Sequence, residues 1–178
     1  MATIQDRIIR AAKLDPRLYE EVEADRDATG QAVAVVLMSA VAGGIGSLGS
    51  GVLPGIVGGT VLTFIGWLVW AFLTYFIGTR LLPEPQTKAD YGELLRTIGF
   101  SSAPGLIRVF GVIPGLRAVL FLVAGIWMLV AMVIAVRQAL DYTSTLRAVG
   151  VCLIGWLVQV LVLVLAANLF GLGHVEAT

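Results

Sequence analysis

The sequence predicts an all-α fold: a polytopic transmembrane helix bundle of five spans behind a short helical N-terminal segment on the cytoplasmic side. Three observations predict it. The 178 residues are 58% hydrophobic and only 13% charged, with a mean hydropathy of +0.92, whereas a soluble domain carries about 25% charged residues. The charges are also clustered, leaving Gln31–Thr79, Ala118–Val136 and Ala148–Val175 without any. Each run reaches the ~18 residues that read as a membrane helix, because about 20 residues at 1.5 Å rise cover the roughly 30 Å hydrocarbon core. Finally, five crossings sort the basic residues onto one side.

Residues 1–30 form a charged, amphipathic head. Ile4, Ile8 and Ala12 recur at helical spacing beside Arg7, Arg10 and Lys13. That pattern suits a short helix on a membrane surface, and equally a terminus whose isoleucines pack on the bundle. Asp15-Pro16 restarts a helix, with Asp as N-cap and Pro at its tolerated first position. This second helix, about 16–28, carries Glu20, Glu21, Glu23, Asp25 and Asp27. Arg17 with Glu21, and Glu23 with Arg26, are spaced to pair locally. The acidic face reads as solvated surface or as a dock for a basic partner. Thr29-Gly30 is expected to end the head. The following apolar run is too long for a signal-peptide core, so the first span is expected to act as the targeting signal.

The run 31–79 would be about 73 Å long as one helix. It therefore divides near Pro54-Gly55 into spans of about 31–50 and 56–79. In the first, Ser39, Gly43, Ser47 and Gly51 repeat every four residues. Such a helix-packing stripe lets backbones approach closely, within the bundle or at a seam between two copies. Gly44–Gly49 spells G-x-G-x-x-G, but a dinucleotide site needs a preceding strand and an acid about 20 residues on. Here a hydrophobic helix precedes it and 65–75 holds no acid, which excludes the cofactor reading. In the second span Trp67 is central and suited to filling space between helices, while Tyr75 suits the interfacial belt.

Asp90–Arg117 decides the topology. It holds Arg96, Pro104, Arg108, Pro114 and Arg117. If 97–113 crosses, the head, loop 80–96 and loop 137–147 share one side and gather ten of the twelve basic residues. If it re-enters, the bias falls to eight or nine. Positive charge marks the cytoplasm, so 97–113 is expected as a third span, short at about 25 Å. The remaining spans are about 118–136, bracketed by Arg117 and Arg137, and 148–170. Residues 31–170 thus form the transmembrane domain, and a short tail, 171–178, holds the sole histidine, His174.

No acid and no histidine lies within these spans, so Ser101 and Ser102 lack the base that a serine nucleophile needs. One His and one Cys cannot build a zinc site, and Cys152 has no intrachain disulfide partner. The net charge of +0 provides no field for nucleic acid. The chain is read as non-enzymatic, without metal or cofactor. What remains is polar punctuation. Arg108 is an intramembrane cation, a functional candidate because it is costly in lipid, although its stem is long enough to snorkel to headgroups. Gln159, central in the last span, suits an interhelical hydrogen bond or a substrate contact. Pro104 frees a carbonyl near residue 100, which Ser101 or Thr97 can help satisfy. Arg108, Gln159, Ser101, Ser102, Pro104 and Arg117 are the candidate lipid or partner contacts.

Several stretches carry a family resemblance: LDPRLYEEVEAD before a Gly-rich first span, then DYGELLRTIGFSSAPGL, then the run from Ile126 to Arg147 ending in ALDYTSTLRA. Over nearly the whole chain this resembles the Yip1 family of five-span membrane proteins. The resemblance implies a membrane-embedded bundle with a cytoplasmic N-terminus. Eukaryotic members are associated with Rab GTPases and vesicle traffic; the 30-residue head and the lack of a DLYGP motif make this chain look like the compact prokaryotic members. The expectation is a multi-pass protein of a prokaryotic plasma membrane, C-terminus outside, organising membrane or partner proteins. Its expected partners are the lipid bilayer and a second copy or another membrane protein. The alternative is a small transporter or channel with a polar path near Arg108 and Gln159.

Overall fold

A computed structural model describes residues 2–48 and 55–169, and among them every regular element is helical. In chain order these are α1 (Ile4–Ala12), α2 (Pro16–Ala24), α3 (Ala28–Gly46) and α4 (Gly55–Phe76), which runs on into a π turn at Ile77–Leu81. There follow α5 (Tyr91–Phe100), a 3-10 segment (Ala103–Val112), α6 (Arg117–Ala139) and α7 (Thr145–Leu169). Four helices are long and apolar enough to cross a membrane: Ala28–Gly46, Gly58–Leu81, Arg117–Ala139 and Thr145–Val162. They coincide with four of the expected spans. Their outer faces are bare hydrocarbon, with Leu62, Phe72, Leu122, Ile126, Leu129 and Trp156 exposed, as lipid-facing surfaces must be. The turn around Gly51 and Pro54 and the tail with His174 lie outside the described residues.

The stretch 97–113 is not a single span helix. It divides into the end of α5 and the 3-10 segment, and the helix starts earlier than expected, at Tyr91. Two local causes act. Asp90 and Glu93 form a reciprocal capping box, the Asp90 Oδ1 accepting from Glu93 N at 2.8 Å and Glu93 Oε2 from Asp90 N at 2.7 Å, which fixes the start. Pro104 has no N–H to continue the α-helix and sits at the first turn of the 3-10 segment instead, where that loss costs nothing.

The broken segment nonetheless travels far. Gly99 lies against Ala32, Gly105 against Ser39 and Gly111 against Gly46. It therefore follows α3 in the same direction, over about 21 Å of that helix. At its start, Arg96 is buried and donates through Nε to the Val22 carbonyl at 2.8 Å and through Nη2 to that of Glu23. At its far end, Gly111 and Gly46 meet Phe121 near the start of α6.

The N-terminal pair packs onto the bundle. Ala11, Leu18, Tyr19 and Val22 are fully buried, Ile4 and Ile8 join the same core, and Trp127 Nε1 donates to the Ala12 carbonyl at 2.9 Å. Asp15 caps α2, accepting from Arg17 N at 3.0 Å. The expected local charge pairs give way to pairs between helices. Glu21 is bound by Arg7 at 2.9 Å and by Arg10 at 2.6 Å, and Arg7 also meets Asp25 at 2.7 Å. Helix spacing offered Glu21 one neighbour on its own helix, but the fold brings two α1 arginines closer. Thr29 and Gly30 fall inside the first turn of α3 rather than ending the head.

Candidate functional site

Arg108 lies in the seam between α3 and the 3-10 segment. Its Nε donates to the Gly105 carbonyl at 3.0 Å, and its Nη2 to the carbonyl and hydroxyl oxygens of Ser39, both at 2.9 Å. The guanidinium carbon also sits 5.9 Å from the Phe121 ring centre, with that of Arg117 at 6.0 Å from the same ring, a range in which cation–π attraction acts. This inward engagement replaces the expected reach toward headgroups. Glycine makes room for it: a Cβ at Gly43 would lie 3.2 Å from Arg108 Cζ, and one at Gly46 would overlap the Arg108 carbonyl oxygen. The stripe residues Ser39 and Gly43 thus face the chain's own 3-10 segment. Ser47 donates back to the Gly43 carbonyl at 2.9 Å, and Gly51 is outside the described residues. Arg117 is exposed at the same end.

Ser101 and Pro104 are buried. Ser101 Oγ donates to the Ile98 carbonyl at 2.7 Å, a backbone-satisfying role at the break. Ser102 instead lines a cavity of about 180 Å³ together with Gln159, Trp67 and Met132. The Oε1 of Gln159 is buried there without a hydrogen-bond partner among the described residues. The structure therefore joins Ser102 to Gln159 and sets Arg108 apart from both.

A third feature was legible only in part, as the acidic face of α2. At the end where α2, α5 and the α6–α7 loop meet, a concavity of about 760 Å³ is lined by Glu20, Glu23, Glu93, Asp141, Arg137 and Gln138, among others. Gln138 Nε2 donates to Glu20 Oε1 at 2.8 Å. Burial, then the charges of Asp141 and Glu93, push the Glu23 carboxyl up to about 7. Its rim is locked by the loops. Tyr142 OH donates to the carbonyls of Gly78 at 3.0 Å and Leu82 at 2.7 Å, groups that the π turn leaves short of partners. Glu84 accepts from the backbone and hydroxyl of Thr143 at 3.0 and 2.8 Å, which holds its carboxyl below the usual value. Polarity in loops 80–90 and 137–147 was visible in the sequence; their mutual contact was not.

A family model described as Yip1 domain matches residues 14–167. No curated protein and no solved structure matches the chain. With nearly the whole bundle matched, including the α2 head helix, the broken α5/3-10 segment and the loop at Tyr142, the chain belongs to the Yip1 domain family.

Proposed function

We propose that this Yip1-domain protein is a non-enzymatic, five-span protein of a prokaryotic plasma membrane that organises partner proteins through its cytoplasmic end. The observation that carries the reading is the acidic concavity of Glu20, Glu23, Glu93 and Asp141 beside the clamped N-terminal pair. The carboxylates of Glu20, Glu93 and Asp141, with Glu23 partly protonated near neutral pH, outnumber Arg137 and leave a local negative field, and such a surface draws a basic partner segment. The N-terminal pair is then part of a docking face rather than a free membrane-surface helix. Affinity purification from mild detergent tests this. The parent should recover a specific partner that the double variant Glu20→Lys, Glu23→Gln loses. Recovery of no partner, lipid or second copy by the parent would count against it.

Five crossings, with N-terminus inside and C-terminus outside, are supported by the course of 91–112 alongside α3 and by the basic residues collected at one end. In a Cys152→Ser background, Thr87→Cys should react with an impermeant maleimide only from the cytoplasmic side and Gly115→Cys only from outside. Labelling of both from one side would make the broken segment re-entrant. The transport reading needs Arg108 and Gln159 on one path. Arg108 is held by Ser39 and Gly105, while the cavity at Gln159 is walled by other residues. Flux in reconstituted liposomes that Arg108→Ala abolishes would reverse this preference.

A further inference from the structure

The cavity of about 180 Å³ at Gln159 takes a wall from each membrane-traversing element: Val36 of α3, Trp67 of α4, Ile98 of α5, Ser102 beside the 3-10 segment, Met132 of α6 and Gln159 of α7. It therefore lies between the helices, and it opens to the outside past the exposed Thr63 of α4. Measured along the helices from their shared polar end, Trp67 and Gln159 both lie about 21 Å deep. None of the residues lining the cavity is charged.

Two of its polar groups are orphaned. Trp67 is only 7% exposed, and its Nε1 donor has no partner among the described residues; neither does the Gln159 Oε1 acceptor. The neighbouring indole differs, since Trp70 Nε1 is occupied by Met132 Sδ at 3.2 Å. Buried polar groups without partners are rare because water cannot rescue them in hydrocarbon. Two such groups, a donor and an acceptor, on one cavity point to something that binds between them.

We propose that this cavity is a binding site for a neutral, hydroxyl-bearing molecule whose oxygen accepts from Trp67 Nε1 and whose O–H donates to Gln159 Oε1. A hydroxyl is the smallest group that does both. It also fits either orientation of the Gln159 amide, since it can accept as well as donate. The uncharged lining disfavours an ion, and the apolar walls Val36, Ile98 and Met132 suit a short hydrocarbon body. The volume holds roughly six waters at about 30 Å³ each, or one small alcohol, or the hydroxyl end of a neutral lipid.

The test uses the full chain in nanodiscs, labelled with 5-fluorotryptophan, with the Trp67 fluorine resonance assigned by Trp67→Phe. Benzyl alcohol and toluene are titrated as probes differing by the hydroxymethyl group. Benzyl alcohol should shift the Trp67 resonance saturably, and toluene, which makes neither hydrogen bond, about thirtyfold more weakly, two net hydrogen bonds' worth. Gln159→Leu, which removes one of the two, should weaken benzyl alcohol about fivefold. The comparison of probes on the parent protein stands even where the variant fails to fold. Displacement of benzyl alcohol by diacylglycerol in the disc marks a lipid as the source, and displacement by aqueous glycerol marks a solute. Equal response to both probes overturns the proposal. So does a Trp67 indole N–H that exchanges with water while neither probe moves it, which would make the cavity a hydration site only. Binding is read on this protein alone, so it stands or falls independently of the docking role.

Discussion

The seam between α3 and the 3-10 segment and the helix α4 are both rich in glycine, yet their glycines meet opposite surroundings. At Gly46, Gly105 and Gly111 an added Cβ would run into Arg108, Ser39, Phe121 or the facing backbone. At Gly58, Gly59 and Gly66 it would meet nothing within 4 Å. Close approach on the first surface brings Ser39 within reach of Arg108 and satisfies a cation inside the bundle. On α4, Gly58 and Gly59 are exposed and Gly66 borders the cavity where Trp67 Nε1 and Gln159 Oε1 have no partner among the described residues. Within lipid, helices associate by packing and interhelical hydrogen bonds rather than by hydrophobic exclusion. A glycine therefore stabilises only where a neighbour uses the space it leaves.

Substitutions can break this contrast, beginning with the largest effect. Gly46→Ala places a methyl group on the Arg108 carbonyl, a backbone atom that cannot rotate away. It should destabilise by about 3 kcal/mol, the upper range for overpacking, read as a fall in the thermal unfolding midpoint in detergent. Arg108→Ala leaves Ser39 and the Gly105 carbonyl without their donor and should cost about 2 kcal/mol. Arg108→Lys should recover only part of that, because an ammonium lacks the planar fork.

A smaller effect isolates the polar end from both surfaces. Burial, followed by the charges of Asp141 and Glu93, raises the Glu23 carboxyl from 4.5 to about 7, with Arg96 opposing and Glu20 adding slightly. Between those values the folded protein holds a proton that the unfolded chain releases. The resulting stability is full below the unfolded value and is lost as pH rises through about 7. Glu23→Gln should therefore match the parent near pH 4 and exceed it near pH 8. The gain should be no more than about 1 kcal/mol, since the group is only half-buried and solvent screens it. Measured unfolding midpoints at the two pH values check the sign. The smallest effect is expected of Gly66→Ala. The space is open and alanine is the better helix former, so the midpoint should hold or rise by a few tenths of a kcal/mol. A large loss there would show that the α4 face is as tightly packed as the seam.

Much of the fold was legible because membrane-crossing helices are written in local composition. The uncharged runs located α3, α4, α6 and α7 within a few residues, and Asp15-Pro16 marked the start of α2. The α5 start was missed because Glu93 and Arg96 made residues 91–96 look like loop. Both are in fact used, Glu93 in a cap and Arg96 against the carbonyls of Val22 and Glu23. Of the candidate residues, Arg108 and Gln159 were conspicuous because a polar side chain in an apolar run always is. Their partners were not, and Trp67 looked like mere filling.

The sequence by itself determined that the chain is a helical membrane protein, where four of its helices lie, and that Pro104 breaks the central stretch. Those follow from burial of backbone in hydrocarbon and from local capping chemistry, which act over one helix length. Only the tertiary structure decided that Ser39 receives Arg108, that Glu21 receives two arginines from α1, and that Trp67 and Gln159 line one cavity. These depend on which helix faces meet, and at what distance. Four-residue spacing shows that a close approach is available to Gly43, but only its neighbour Arg108 decides that it is used.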